Sequence, residues 1–286
     1  MARIVVPEAE AVLDQEFQVL NKGFVRLVDY LGGDARIVQA ARVSYGAGTK
    51  TFREDKGLID YLLRHQHTSP FEQVSLTFHC KMPIFVARQW VRHRTAKLNE
   101  ISGRYSVMHD DFYVPDASAV SYQSLDNKQG RSDAEVPPDI KTQVQATLAE
   151  GQLRAYEEYK KLLDLGLARE IARINLPLSL YTEWYWTMDL HNLFRFLALR
   201  LDSHAQLEIR RYAEVILDLT RKVAPVAVEA FENHLLGGVQ LSRQEVLALR
   251  RLAEQQGESF SKVMDEELEG KARERFWNKL QGHGPT

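Results

Sequence analysis

One cysteine, Cys80, stands in a chain of 286 residues. A lone thiol excludes any internal disulfide. Its neighbours, Val74-Ser75-Leu76-Thr77-Phe78-His79-Cys80, alternate apolar and polar like a half-buried strand, and no activating motif adjoins it. Cys80 therefore reads as a core residue and not as a nucleophile. No apolar run approaches the roughly 20 residues that a membrane-spanning helix needs. The opening Met1-Ala2-Arg3-Ile4-Val5-Val6-Pro7-Glu8 lacks the apolar core of a secretory signal. There is no GxGxxG fingerprint and no internal repeat. Gly46-Ala47-Gly48-Thr49-Lys50 has the composition of a phosphate loop but fails its spacing, so it reads as a turn. Charge of one sign is also missing: 37 Lys and Arg stand against 39 Asp and Glu. A chain so balanced is no general binder of polyanions, and any phosphate site must come from locally concentrated basic groups. The expectation is a cytoplasmic protein with neither a nucleic-acid nor a membrane partner. At 44% hydrophobic residues, it has enough apolar material for one large core or two smaller ones.

The local concentration exists. Arg92-His93-Arg94-Thr95-Ala96-Lys97-Leu98-Asn99-Glu100-Ile101-Ser102-Gly103-Arg104-Tyr105-Ser106 holds five basic side chains against one carboxylate, Glu100. Such a run does not form a core element. Guanidinium forks suit phosphates and planar anions, because they donate two parallel hydrogen bonds at fixed geometry. The apolar stretch 83–91 just before it has helical character, so a rigid element presents an anion site at its end. The bland alternative is a basic surface turn.

Around this stretch, 25–31 reads as a strand, and Asp34 as the N-cap of a helix carrying Ile37, Ala40, Ala41 and Ser44. Residues 53–65 form a helix by their apolar spacing, and 74–80 a strand. Residues 117–137 read as a polar insertion loop. Long helices follow over 140–165, 190–201 and 207–223, with a shorter one over 167–174, and 178–188 is aromatic-rich and extended. Ser242-Arg243-Gln244-Glu245 is a capping box that opens a charged helical tail. The pieces imply an α+β fold of mostly antiparallel strands packed with long helices. Residues 1–237 read as one catalytic domain and 238–286 as a peripheral extension.

Three kinds of function suit these residues: a nucleotide enzyme, a non-catalytic RNA or nucleotide binder using the arginine cluster, and a metal-dependent hydrolase using His65, His67, His93 and His204. His65 and His67 lack a third ligand at metal spacing, so no metal site is expected. Ser102 has no recognisable histidine–carboxylate pair to activate it, and reads as a hydrogen-bond donor to a ligand.

Arg92-His93-Arg94, then seven residues, then Ser102 resembles the signature of flavin-dependent thymidylate synthases. Ordered matches extend from about Gly23 to about Glu232. They include Ala40-Ala41-Arg42-Val43-Ser44, His67-Thr68-Ser69-Pro70-Phe71-Glu72, Phe85-Val86-Ala87-Arg88-Gln89-Trp90, Ala172-Arg173-Ile174, Leu180-Tyr181-Thr182 and Arg200-Leu201-Asp202-Ser203-His204-Ala205-Gln206. The tail beyond 238 lies outside them.

The resemblance implies a homotetramer with sites shared between subunits. It implies methylation of dUMP to dTMP, with 5,10-methylenetetrahydrofolate as carbon donor and NADPH-reduced FAD as hydride source. It places dUMP against Gln89, Trp90, Val91, Arg92, Glu100, Ile101, Ser102, Gly103, Arg104, Arg173 and Arg200. It places FAD against Ser69, Arg92, His93, Arg94, Glu100, Asp189, His191 and Arg195, with His67 beside the flavin. Asp189, His191 and Arg195 depart from the asparagine, arginine and asparagine that some relatives carry. Arg200 is the catalytic expectation: a fixed guanidinium facing the pyrimidine would favour the ring ionised at N3. Helical spacing would put Arg200 on one face with His204.

Overall fold

The computed structural model describes residues 3–43, 52–125, 130–268 and 270–281. Ser44 and the Gly46–Lys50 turn lie outside the described residues. Among the described residues the sheet has five antiparallel strands, β1 (Glu16–Val19), β2 (Gly23–Leu31), β3 (Ser75–Pro83), β4 (Lys97–Glu100) and β5 (Tyr181–Asp189), in the order β1-β2-β3-β5-β4. The short hairpin strand β1 and the four-residue β4 have little periodicity to reveal them. β4 lies inside the basic stretch and is exposed along its whole length at the sheet edge, so the stretch is indeed no core element.

Alternation assigns the two faces of the sheet. Leu76, Phe78, Cys80 and Met82 of β3 and Trp184, Trp186 and Met188 of β5 point into the core, while Thr77, His79 and Lys81 point away from it. Helices cover the core face: α2 (Asp34–Arg42), α3 (Phe52–Arg64), α4 (Ile84–Trp90), α7 (Leu190–Arg200), α8 (Leu207–Val223) and α9 (Pro225–Phe231). The apolar stripe expected on α8, Tyr212, Ile216, Leu219 and Val223, is buried. A short α1 (Pro7–Glu10) also packs on α8.

A smaller cluster of Met108, Phe112, Tyr159, Ala172 and Leu180 joins α5 (Pro138–Asp164) and α6 (Arg169–Ala172) to the loop after β4. The C-terminal helices α10 (Arg243–Gln256), α11 (Glu258–Glu267) and α12 (Gly270–Gln281) pack on one another. Ser242 caps α10 through the expected capping box. No helix among the described residues is long and apolar enough to cross a membrane.

One local expectation changes. Asp34 does not cap its own helix; Gly33 holds the N-cap position, with no side-chain bond. The Asp34 carboxylate instead accepts from the backbone N–H groups of Val226 and Ala227, at 2.9 Å each, and so caps α9. Only the tertiary fold brings that helix start to Asp34. Helix α3 ends as expected, but through Gln66 in the left-handed region (φ 57°), with His67 N donating to Leu62 O at 2.9 Å. This Schellman-type ending turns the chain out toward Ser69.

Candidate active site

Helix α4 is nailed to the core by its last residue. The Trp90 ring is fully buried, stacked on Phe196 at 5.2 Å and edge-on to Trp184 and Trp186 at 5.4 and 5.3 Å. The chain then turns, His93 N donating to Trp90 O, and throws Arg92, His93, Arg94 and Thr95 outward. They form one wall of a cleft of about 570 Å³ whose other wall is Asn192, Arg195, Leu199 and Arg200 of α7. Positions 192, 195 and 199 share one face of a helix by their three- and four-residue spacing. Four guanidiniums line this cleft and no carboxylate does. Like charges gathered without a counter-charge favour an anionic ligand, and forks arranged this way suit phosphate oxygens.

At the base of the cleft Arg200 is held by two acceptors. Its Nε donates to His93 Nε2 at 3.1 Å and its Nη2 to Gln89 O at 2.9 Å. Arginine has no acceptor, so His93 Nε2 carries no proton and the neutral ring keeps its hydrogen on Nδ1. Burial, then the charges of Arg200 and Arg195, bring the His93 pKa down to about 4. Burial also lowers the pKa of Arg200. The two held nitrogens fix the guanidinium plane, and Nη1 makes no hydrogen bond among the described residues.

Arg200 does not share a helix face with His204. Helix α7 ends at Arg200, and the Asp202 carboxylate accepts from both His204 N and His204 Nδ1 at 2.8 Å. That local turn competes with a further helical turn and wins. Asp202 is thus engaged by His204, and Glu208 by Arg131, so neither neutralises Arg200.

A second group gathers where β4 ends. Glu100 Oε1 accepts from Thr182 Oγ1 at 2.6 Å. Ser102 Oγ accepts from Arg104 N at 3.3 Å within a tight turn. Gly103 is buried there, and a Cβ on it would stand 2.9 Å from Met108 Sδ and 3.1 Å from Arg173 Cδ. Glycine is therefore what lets the Arg173 side chain lie against the turn. Arg104 Nε donates to Glu170 Oε2 at 3.0 Å on the surface.

Other expected site residues fall elsewhere. Ser69 lies in a different cleft, of about 400 Å³, with Arg36, Gln39, Val43 and Gln73. Asp189 is the N-cap of α7, accepting from Asn192 N at 3.0 Å and Asn192 Nδ2 at 2.8 Å, so both carboxylate oxygens are engaged. His191, half-buried on the first turn of α7, is not in the cleft wall. Trp90 gives its side chain to the core, which leaves only its backbone for a ligand, whereas Val91 and Ile101 are exposed. Thr95, Asn192 and Leu199 line the cleft without having been expected there. A signal for Asn192 existed in its place three residues after a capping aspartate, whereas nothing in the sequence marks Leu199, which the fold leaves 62% exposed beside Arg200.

Cys80 is wholly buried, and burial alone raises its pKa well above the ordinary thiol value. It cannot present a thiolate to a ligand. His65 and His67 meet each other edge-on beside Tyr61, and no group of three or more potential metal ligands occurs among the described residues.

Comparison with known proteins fits this geometry. A family model described as thymidylate synthase complementing protein matches residues 26–226. The chain is 59% identical over 269 residues to a flavin-dependent thymidylate synthase of Treponema denticola, covering 94% of this chain and 98% of that protein. It is 58% identical over 281 residues to one of Treponema pallidum, covering 98% and 90%. Among solved structures it is similar to the UMP/dUMP methylase PolB of Streptomyces cacaoi bound with 5-Br dUMP, with a TM-score of 0.70, 36% identity, and 77% of this chain and 99% of that one covered. The Treponema matches run into the helical tail, so these relatives share the extension that lay outside the motif resemblance. The chain belongs to the family of flavin-dependent thymidylate synthases.

Proposed function

We infer that this protein is a flavin-dependent thymidylate synthase that methylates dUMP to dTMP. The observation that carries this reading is Arg200, fixed by neutral His93 and the Gln89 carbonyl at the base of a cleft walled with guanidiniums. Its complement is a sole cysteine too buried to add to a pyrimidine ring.

The donor set fits a flavin dinucleotide. Arg92, Arg94 and Arg195 suit a pyrophosphate, and His93 lines the same cleft. Bound there, FAD reduced by NADPH would supply the hydride that completes the methyl group donated by 5,10-methylenetetrahydrofolate. The nucleotide phosphate would be taken by Ser102, Arg104 and Arg173 around the Gly103 turn, where the missing Cβ lets the Arg173 side chain lie close to the other two. Gln89 would face the nucleotide beside it. Arg200 would oppose the pyrimidine and favour negative charge at N3, which raises electron density at C5, the carbon that receives the methyl. Because His93 is neutral, it accepts from Arg200 and adds no competing charge. The Ser69 cleft, also furnished with an arginine, supports a site completed between subunits of a homotetramer.

The test is single turnover. Purified protein should be yellow, and once reduced it should convert dUMP and 5,10-methylenetetrahydrofolate to dTMP. Colourless protein that binds nucleotides with steep salt dependence and makes no dTMP would point to a binding protein instead.

A further inference from the structure

Glu208 opens α8 and is only 3% exposed, yet it carries a carboxylate. Three side-chain donors converge on it. Arg131 Nη2 at 2.7 Å and Tyr113 Oη at 3.1 Å reach Oε1, and Gln206 Nε2 at 2.8 Å reaches Oε2. Burial works against the charge, but the residue's own backbone N–H at the helix start, Arg131 and Gln206 outweigh it and hold the carboxyl below its usual range. Arg131 is itself anchored, donating from Nη1 to Ala119 O at 2.6 Å. The dUMP-site reading gives none of these four side chains a task.

The buried charge has a consequence two residues away. A carboxylate only accepts, so the end of the Gln206 amide that faces it must be the NH2 group. The Gln206 carbonyl then points the other way, where it meets the Gln89 side chain. A carbonyl also only accepts, so Gln89 must offer its own NH2 group there. This leaves Gln89 Oε1 as the end turned away from Gln206. The Gln89 backbone carbonyl meanwhile accepts from Arg200 Nη2. One buried charge thus orders two amides in series, and the second belongs to the residue that also holds Arg200. Without that charge either amide could turn over, since its two ends have nearly the same shape.

We propose that Glu208 is a positioning residue for the nucleotide site: through Gln206 it sets which end of the Gln89 amide faces dUMP, and through Arg131 it ties the backbone at Ala119 to the same residue. The proposal rests on the reading of Gln89 as a dUMP contact. Glu208 touches no substrate, and its effect is on binding and not on the chemical step.

The experiment uses flavin-loaded enzyme, with dUMP affinity measured by calorimetry and with KM and kcat measured in turnover. Glu208→Gln keeps the shape but removes the charge that orders the amides. It should weaken dUMP binding and raise KM roughly tenfold, the upper scale of one lost neutral hydrogen bond, with kcat at saturating dUMP and flavin content near wild type. Gln206→Met, at an exposed position, should do the same without touching the buried charge. In a double-mutant cycle, Gln89→Ala with Glu208→Gln should be no worse than Gln89→Ala alone, because the second change acts only through the first. Unchanged dUMP affinity in both Glu208→Gln and Gln206→Met overturns the proposal, as do effects that multiply in the cycle. If Glu208→Gln fails to fold, Gln206→Met decides alone. Unchanged affinity in Gln89→Ala fails differently: it removes the nucleotide-site reading on which the proposal rests.

Discussion

Two clefts on one chain divide between them five of the expected flavin contacts, Arg92, His93, Arg94 and Arg195 in one and Ser69 in the other, and they have no residue in common. The first opens between the turn after α4 and the face of α7, and its lining is dense in guanidinium groups. The second opens between α2 and the segment around Ser69, and it offers Arg36 and Gln39 among apolar neighbours. The first is braced from beneath by Trp90, Phe196, Trp184 and Trp186. In the second, Arg36 donates from Nη1 to Gln39 Oε1 at 3.1 Å, and its buried Nε has no hydrogen-bond partner among the described residues. Residues that one ligand is expected to touch need not lie together within one chain. On the proposed reading of a site shared between subunits, the flavin would set its pyrophosphate in the first cleft of one copy and its remainder against the second cleft of another.

The sharpest way to break this picture is Arg200. If the first cleft is where the chemistry happens, Arg200→Ala should slow single-turnover methylation by pre-reduced enzyme about a hundredfold, the usual cost of losing one preorganised donor to developing charge. Flavin content should change little. Arg200→Lys keeps the charge but loses the fork held by His93 and Gln89, so it should recover only part of the rate. A wild-type methylation rate in Arg200→Ala at saturating dUMP would reduce Arg200 to a structural tether between α7 and α4.

The second prediction sets the clefts against each other. Arg94→Ala removes a charged donor and should weaken flavin binding tenfold to a hundredfold, seen as loss of yellow colour on gel filtration. Ser69→Ala removes a neutral hydroxyl and should weaken it about fivefold. Co-expressing Arg94→Ala with Ser69→Tyr, which blocks the second cleft, should regenerate some intact sites if each site draws on two copies. Mixed assemblies should then bind more flavin than either parent. If the mixture only averages its parents, both clefts serve the flavin from one chain or one of them does not serve it at all.

The arginine cluster and its partners were legible because they are local in sequence. Arg92, His93 and Arg94 are consecutive, and Ser102, Gly103 and Arg104 occupy one turn, so a linear pattern carries them into one place. The strands and long helices were legible for the same reason, since periods of two and of about 3.6 residues survive in the sequence of β3, β5 and α8. What was not legible depends on distant partners. Asp34 looks like a cap for the helix it begins, and caps a helix 190 residues further on only because β2 and α8 bring that helix to it. His204 was placed beside Arg200 by helical spacing, and nothing in that spacing announces that Asp202 draws the chain out of the helix. Trp90 belongs to a binding motif by resemblance and to the core by burial. Gln206 acquires its task only through the buried charge of Glu208, which no pattern in the sequence marks.

The third prediction concerns acidity in the first cleft. His93 is held at about 4, below the ordinary histidine value, so the unfolded chain takes up its proton first as pH falls. Stability from this group is fully present above the unfolded value of 6.5 and is lost as pH drops from there through about 4. The protonated ring can no longer accept from Arg200, so the guanidinium is released in the same range. Methylation by folded enzyme should therefore decline toward pH 4, and His93→Gln, whose carbonyl accepts at any pH, should flatten that decline. An acid limb unchanged in a folded His93→Gln enzyme would place the controlling group elsewhere, and the first cleft would lose its claim to a neutral histidine as a working part.

The smallest effect comes from a residue outside both clefts. Cys80 lies on β3 with its thiol in the core, where burial lifts its pKa away from thiolate chemistry. Cys80→Ala trims one buried atom and should cost about 1 kcal/mol of stability, read as a modest fall in melting temperature. It touches neither the guanidiniums of the first cleft nor the Ser69 cleft, so flavin content and dTMP formation should match wild type. The two measurements have to be made on the same preparation, because a drop in activity that follows the loss of folded protein says nothing about chemistry. Abolished turnover in folded, flavin-loaded Cys80→Ala would mean that the thiol reaches the pyrimidine after all. The reaction would then run through enzyme addition to the ring, and the contrast between the two clefts would describe only where the cofactor sits.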